Sequence, residues 1–175
     1  MTRILGALLA GGQSRRFGSD KALAMLDGQT LIDRVFGQLR MQVNAVVICG
    51  REGPYGISDR PGSGLGPLGG LNAALHHARD LGFDAVASVP CDTPFLPADL
   101  VHRLRKAGLP SFVVTMPVIG LWPSRLADEL ERHLATSNDR SMRRWTEIIS
   151  ATLADLGEMT NVNTVTDLKS LLRVL

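Results

Sequence analysis

Apolar residues along this chain follow two rhythms. Ile4 to Leu9, Ala45 to Cys49 and Ala85 to Val89 are short unbroken runs, closed by Gly11-Gly12, Gly50 and Pro90. Runs of this length ended by glycine or proline predict strands buried on both faces. Elsewhere the spacing changes to three and four residues. Leu31, Val35 and Leu39, with Ile32 and Phe36 beside them, predict an amphipathic helix over Thr30 to Met41. Leu71, Ala74, Leu75 and Ala78 predict another, after a long aperiodic loop from Arg51 to Pro67. Further on, Pro97 to Lys106 reads as a helix with proline in its first turn, Ser111 to Thr115 as a strand, and Val118 to Leu121 as one more. Ser124–Leu134, Met142–Ile149 and Thr166–Val174 read as helices between polar breaks. Strands alternating with helices imply right-handed crossovers and a mainly parallel sheet covered on both faces. The expected class is therefore α/β, a three-layer α/β/α sandwich forming one domain over residues 1–175. In such sheets ligands bind beyond the carboxyl ends of the strands. That rule singles out the segments after Leu9, Cys49 and Val89.

Charge narrows the chemistry. Nineteen Lys and Arg against seventeen Asp and Glu leave +2 over 175 residues. No whole-molecule field favours nucleic acid or anionic lipid, so any anion must be met by a local site. Two cysteines, Cys49 and Cys91, make neither a disulfide framework nor a metal cage. No apolar run reaches the ~18–20 residues that span a bilayer, and the expected location is the cytoplasm, with neither nucleic acid nor membrane as partner. Eighteen glycines, about a tenth of the chain against a usual ~7%, cluster in loops.

The first such loop runs from Leu9-Ala10-Gly11-Gly12 through Arg15, Arg16 and Gly18 to Asp20-Lys21. Paired glycines let a backbone approach a ligand and turn successive N–H groups inward as an anion nest. Arg15, Arg16 and Lys21 add positive charge, so a polyphosphate suits this loop better than a plain turn. It is not a Walker A loop, because no Gly-Lys-Ser/Thr follows. The second is Pro90-Cys91-Asp92-Thr93-Pro94, which presents Asp92 from a stiff support. There Asp92 can hold Mg²⁺, a hard cation often shared with phosphates, or cap a turn. The third, Asp59 to Gly70, holds an accidental G-x-G-x-x-G with a proline inside it; it makes either a flexible wall before a helix N-terminus or a surface loop. Cys91 reads as a buried filler, His76-His77 as surface, Trp122 and Trp145 as packing, and Arg140, Arg143 and Arg144 as a solvated face. Asn163 reads as a cap for the last helix.

Taken in order, these runs, with Gly66-Pro67-Leu68-Gly69-Gly70, Pro117-Val118-Ile119-Gly120-Leu121 and Asn161-Val162-Asn163-Thr164, resemble the MobA family of molybdenum cofactor guanylyltransferases. That family lies within the Rossmann-like nucleotidyltransferase superfamily. The resemblance runs nearly end to end. It implies Mg²⁺-dependent transfer of GMP from GTP to molybdopterin-bound molybdenum cofactor, with pyrophosphate released. By motif, it places Leu9, Ala10, Gly11 and Gly12 on the nucleotide and Lys21 on phosphate. Asp92 falls on the metal and Asp59 at the nucleotide-contacting acidic position. Lys21, Arg16 and Asp92 become the catalytic set, and Gly69 and Asn163 belong to the acceptor side. Molybdoenzymes or cofactor-delivery proteins are the implied partners. The chain departs from the pattern at Cys49, where many relatives carry Asn, at Phe17 for Met, and at Val165 for Pro. It also has only Thr115 and Met116 where relatives usually carry a longer polar loop. CMP transfer to a pterin, transfer to a sugar phosphate, or a non-catalytic nucleotide-binding adaptor are the competing readings.

Overall fold

A computed structural model describes residues 2–11 and 20–172. The strands are β1 (Ile4–Leu9), β2 (Met25–Leu26), β3 (Gln29–Thr30), β4 (Ala45–Cys49), β5 (Gly56–Ile57), β6 (Ala85–Pro90), β7 (Ser111–Val113), β8 (Met116–Pro123) and β9 (Thr152–Ala154). The helices are α1 (Leu31–Arg40), α2 (Pro67–Asp80), α3 (Leu100–Ala107), α4 (Ala127–Thr136), α5 (Met142–Ile148) and α6 (Val165–Leu172). Lys21–Leu23 and Ser124–Leu126 are single 3-10 turns. Seven strands make one sheet in the order β5-β4-β1-β6-β8-β7-β9, and the small β2–β3 hairpin stands apart.

The three apolar runs lie side by side, β1 parallel to β4 on one flank and to β6 on the other. Period-two alternation then sorts their side chains into two cores. Leu5, Ala7 and Leu9 meet α2, α4 and α5 through Leu71, Leu75, Leu130 and Trp145. Ile4 and Leu8 meet α1 and α3 through Val35, Leu39, Leu100 and Leu104. Gly6 has a specific purpose there: a Cβ would stand 2.9 Å from Leu39, so glycine lets α1 close on the sheet.

Several sequence expectations need correction. β8 runs antiparallel to both neighbours, because β7 turns straight back through Val113–Met116 and inserts β8 beside β6. The short loop at Thr115 is therefore a tight hairpin end. α3 starts at Leu100, after Pro97 accepts at its carbonyl the Leu100 N–H. β9, β5 and the β2–β3 hairpin had no periodic signal.

His76 is the largest departure from expectation. Reading it as surface fails, because α2 is covered by the sheet on one side and by α4 on another, leaving His76 4% exposed. Its Nδ1 lies 3.0 Å from Arg79, a donor, so the ring accepts there, while Nε2 lies 3.1 Å from Glu131. Glu131 is gripped by Arg60 and Asp128 by Arg79. His76, Asp128 and Glu131 stand close enough to share a cation, but two guanidiniums already neutralise the carboxylates. This is an ion-pair network joining α2 to α4. Burial, then the charge of Arg60, pushes the His76 pKa down despite Glu131 and Asp128. The unfolded chain takes up a proton near ~6.5 that the native ring refuses. Stability is then full above that pH and falls as pH drops below it. We expect the Tm of the wild-type protein to fall more steeply between pH 7.5 and 5.5 than that of His76→Gln; parallel curves would show that the ring is not the source.

Candidate active site

Because β1, β4 and β6 run in one direction, the residues leaving their carboxyl ends emerge together. With the start of α2 and with Met116, Val118 and Asn161, they enclose a cavity of about 290 Å³. Leu9, Gly11, Cys49, Asp59, Gly70 and Asp92 all line it. The two loops after β1 and β4 touch backbone to backbone: a Cβ on Gly50 would overlap the Gly11 Cα, and Gly50 itself has φ +77°. Only glycine on both sides allows that approach.

At one end of the cavity stands an ion pair. Lys21 Nζ lies 2.7 Å from Asp92 Oδ2 and donates to Asn163 Oδ1 at 3.4 Å. The other Asp92 oxygen, Oδ1, is buried and has no hydrogen-bond partner among the described residues. Among the described residues, neither turn nor helix uses the Asp92 side chain as a cap. The Val162 N–H donates to the Asp92 carbonyl at 2.8 Å, and Val162 is fully buried among Leu26, Leu31 and Leu168. Burying such a side chain is worth ~1.5–3 kcal/mol, enough to hold Asn161–Asn163 against the site. Asn163 is not the cap of α6. Thr164 Oγ1 accepts the Asp167 N–H, and the Asp167 carboxylate accepts the N–H groups of Asn163 and Thr164. That exchange leaves the Asn163 side chain facing Lys21.

At the other end is Asp59. Its carboxylate would lie within 3.3–3.6 Å of a Cβ built on Gly11, Gly50, Gly69 or Gly70. Oδ1 is buried without a hydrogen-bond partner among the described residues, and burial raises the Asp59 pKa. The next residue fixes the loop: the Arg60 N–H donates to the Gly69 carbonyl at 3.1 Å, and Asn72 donates to the Arg60 carbonyl at 3.2 Å. Cys49 beside it is a buried neutral thiol, its pKa pushed up by burial and by Asp59. Cys91 is half-buried, its pKa pushed up to about 11 mainly by burial.

Of the residues singled out from sequence, Leu9, Gly11, Asp59 and Asp92 line the cavity, and Lys21 joins them through Asp92. Ala10 is buried behind, its N–H donating to the Cys49 carbonyl. Gly69 sits against Asp59 and Asn163 against Lys21, so these two serve different ends of the cavity. Gly12 and Arg16 lie outside the described residues. Sequence reasoning passed over Arg51, which grips Asp20 with both terminal nitrogens, NH1 to Oδ2 at 2.7 Å. The signal was its place just past the end of β4. Trp122 and Trp145 are fully buried packing residues, as expected. Among the described residues no helix is long and apolar enough to cross a membrane.

Comparison with known proteins gives the family. A family model for the MobA-like NTP transferase domain matches residues 6–155. A molybdenum cofactor guanylyltransferase of Rhodobacter capsulatus is 50% identical over 60% of this chain and 59% of its own length. Another, from Nitrobacter hamburgensis, is 36% identical over 93% of this chain and 90% of its own. The crystal structure of molybdopterin-guanine dinucleotide biosynthesis protein A from Archaeoglobus fulgidus shares the fold, with TM-score 0.72 at 23% identity over 97% of each chain. With the strand order and these matches in hand, the chain belongs to the MobA-like NTP transferase domain family.

Proposed function

We propose that this protein transfers GMP from GTP to the terminal phosphate of a molybdopterin-type acceptor and releases pyrophosphate. The Rhodobacter capsulatus and Nitrobacter hamburgensis relatives are both named molybdenum cofactor guanylyltransferase, which supports this reading. The observation that carries the reading is the Asp59 carboxylate lining the cavity, whose buried Oδ1 has no hydrogen-bond partner among the described residues. Guanine presents two adjacent donors, a ring N–H and an exocyclic NH₂, and a carboxylate can accept both. Cytosine and adenine offer one donor beside an acceptor, which a carboxylate would repel.

With the base at Asp59, the phosphates reach toward Lys21 and Asp92. The acceptor phosphate oxygen attacks the α-phosphorus in line, the α–β bridging P–O bond breaks, and pyrophosphate leaves. The attacking oxygen is already ionised, so no protein base is needed and catalysis is positioning plus electrostatics. Unit charges ~4 Å apart repel by about 4 kcal/mol at an effective dielectric of ~20. Lys21 counters part of that repulsion, and Asn163 steadies its ammonium. A divalent cation fits beside it: Asp92 lines the cavity, and its buried Oδ1, which has no hydrogen-bond partner among the described residues, is a hard oxygen ligand. Such an ion, Mg²⁺ in our reading, would neutralise phosphate charge when bound. Asp92 would be the residue that holds it.

The test is pyrophosphate release measured with GTP, CTP, ATP and UTP, each with and without molybdenum cofactor. Release should require GTP and acceptor together. Equal release from CTP would move the protein to a cytidylyl or broader transferase. Tight GTP binding with no release in the presence of acceptor would make it a nucleotide-binding adaptor.

A further inference from the structure

Resting on the transferase reading, we infer that Arg51 is a positioning residue, holding Lys21 in line with Asp92 through its grip on Asp20. Lys21 is the first residue of the 3-10 turn Lys21–Leu23, and Asp20 caps that turn, its Oδ1 accepting the Ala22 N–H at 3.2 Å. The direction in which Lys21 leaves the backbone is therefore set by how Asp20 is held. Arg51 holds it with a two-pronged pair, and its own side chain is only 24% exposed. The Arg79–Asp128 and Arg144–Glu147 pairs, by contrast, use arginines 40% and 52% exposed. The base of Arg51 is stiff as well. It follows Gly50, whose N–H donates to the Ile57 carbonyl and whose backbone rests on Gly11.

Charge gives Arg51 a second effect through the same contact. Asp20 is one residue from the lysine that faces incoming phosphates. Unpaired, its carboxylate would repel them and could draw Lys21 away from Asp92. Paired to Arg51, it does neither. Fork geometry is what makes the pairing tight, so lysine should be a poor substitute.

The experiment compares Arg51→Met, Arg51→Lys and the double variant Arg51→Met/Asp20→Asn for pyrophosphate release with Mg·GTP and acceptor, with Tm as the folding check. Arg51→Met should raise KM for GTP at least tenfold and lower kcat several-fold, with Arg51→Lys recovering only part. The double variant should do no worse than Arg51→Met, because the stranded carboxylate is gone. Arg51→Met within twofold of wild type, or a double variant worse than Arg51→Met, would overturn the proposal. Calorimetric binding of magnesium tripolyphosphate, which has neither base nor acceptor, reads the grip separately from the functional reading. Affinity should fall in Arg51→Met and return in part in the double variant even if wild type proves inactive with GTP; no binding by wild type would end the proposal.

Discussion

Asp92→Asn should lower the turnover number at saturating Mg²⁺ and GTP by about 10³-fold, some 4 kcal/mol of lost transition-state stabilisation. Two effects combine in that figure. The amide keeps the shape of the carboxylate but loses the charge on Oδ1, the buried oxygen of this cavity-lining residue that has no hydrogen-bond partner among the described residues. It also removes the counter-charge from Lys21, whose ammonium sits 2.7 Å from Oδ2. Lys21 would then pair more tightly with ground-state phosphate, so GTP should bind as well as before or better while turnover collapses. A loss confined to kcat is the mark of an interaction made in the transition state. The fold should survive, because Asp92 is held through its carbonyl by Val162 and not through its side chain. Steady-state kinetics across a Mg²⁺ series, with Tm measured in parallel, checks this. A variant whose turnover is near normal and still saturates with Mg²⁺ would remove Asp92 from the metal.

The ends of β1, β4 and β6 were legible because the apolar runs there are long enough to be buried on both faces and stop abruptly at glycine or proline. Once those strands are parallel neighbours, Gly11, Cys49 and Asp92 must meet. What periodicity missed are elements created by partners and not by their own residues. Thr152–Ala154 is a strand only because β7 offers an edge to it, and its Leu153 stays exposed. The β2–β3 hairpin is signalled by turn chemistry instead: Asp27 and Gly28 both take positive φ, as a tight Asp-Gly hairpin requires. His76 was misread because the helix carrying it is covered on more than one side, so polarity alone did not mark the solvent face. Arg51 and Asn163 act through contacts 31 and 142 residues away in sequence, which no local pattern encodes.

Asp59→Asn should stabilise the free protein and impair it as a guanine binder. Burial raises the Asp59 pKa, so the native state holds that proton more tightly than the unfolded chain does. The group's contribution to stability is complete below its unfolded value near ~3.9 and is lost as pH rises through the native value. At neutral pH the ionised, partnerless oxygen is a net cost, of the order of the ~1–3 kcal/mol of an unsatisfied buried polar group. Relieving about 1 kcal/mol should raise Tm by ~2–4 °C in a chain of this size, with a gap to wild type that opens as pH rises from about 4 and then stays level. Binding should move the other way. Asparagine offers one acceptor and a donor where guanine presents two donors, so GTP affinity should fall by about 10–100-fold. A base with a donor beside an acceptor, as in CTP or ATP, should gain relative to GTP. Such an exchange of stability for recognition is expected where a site keeps a charge ready for a ligand. Calorimetry with GTP and CTP beside melting curves measures both halves, and an unchanged GTP affinity would place the guanine elsewhere in the cavity.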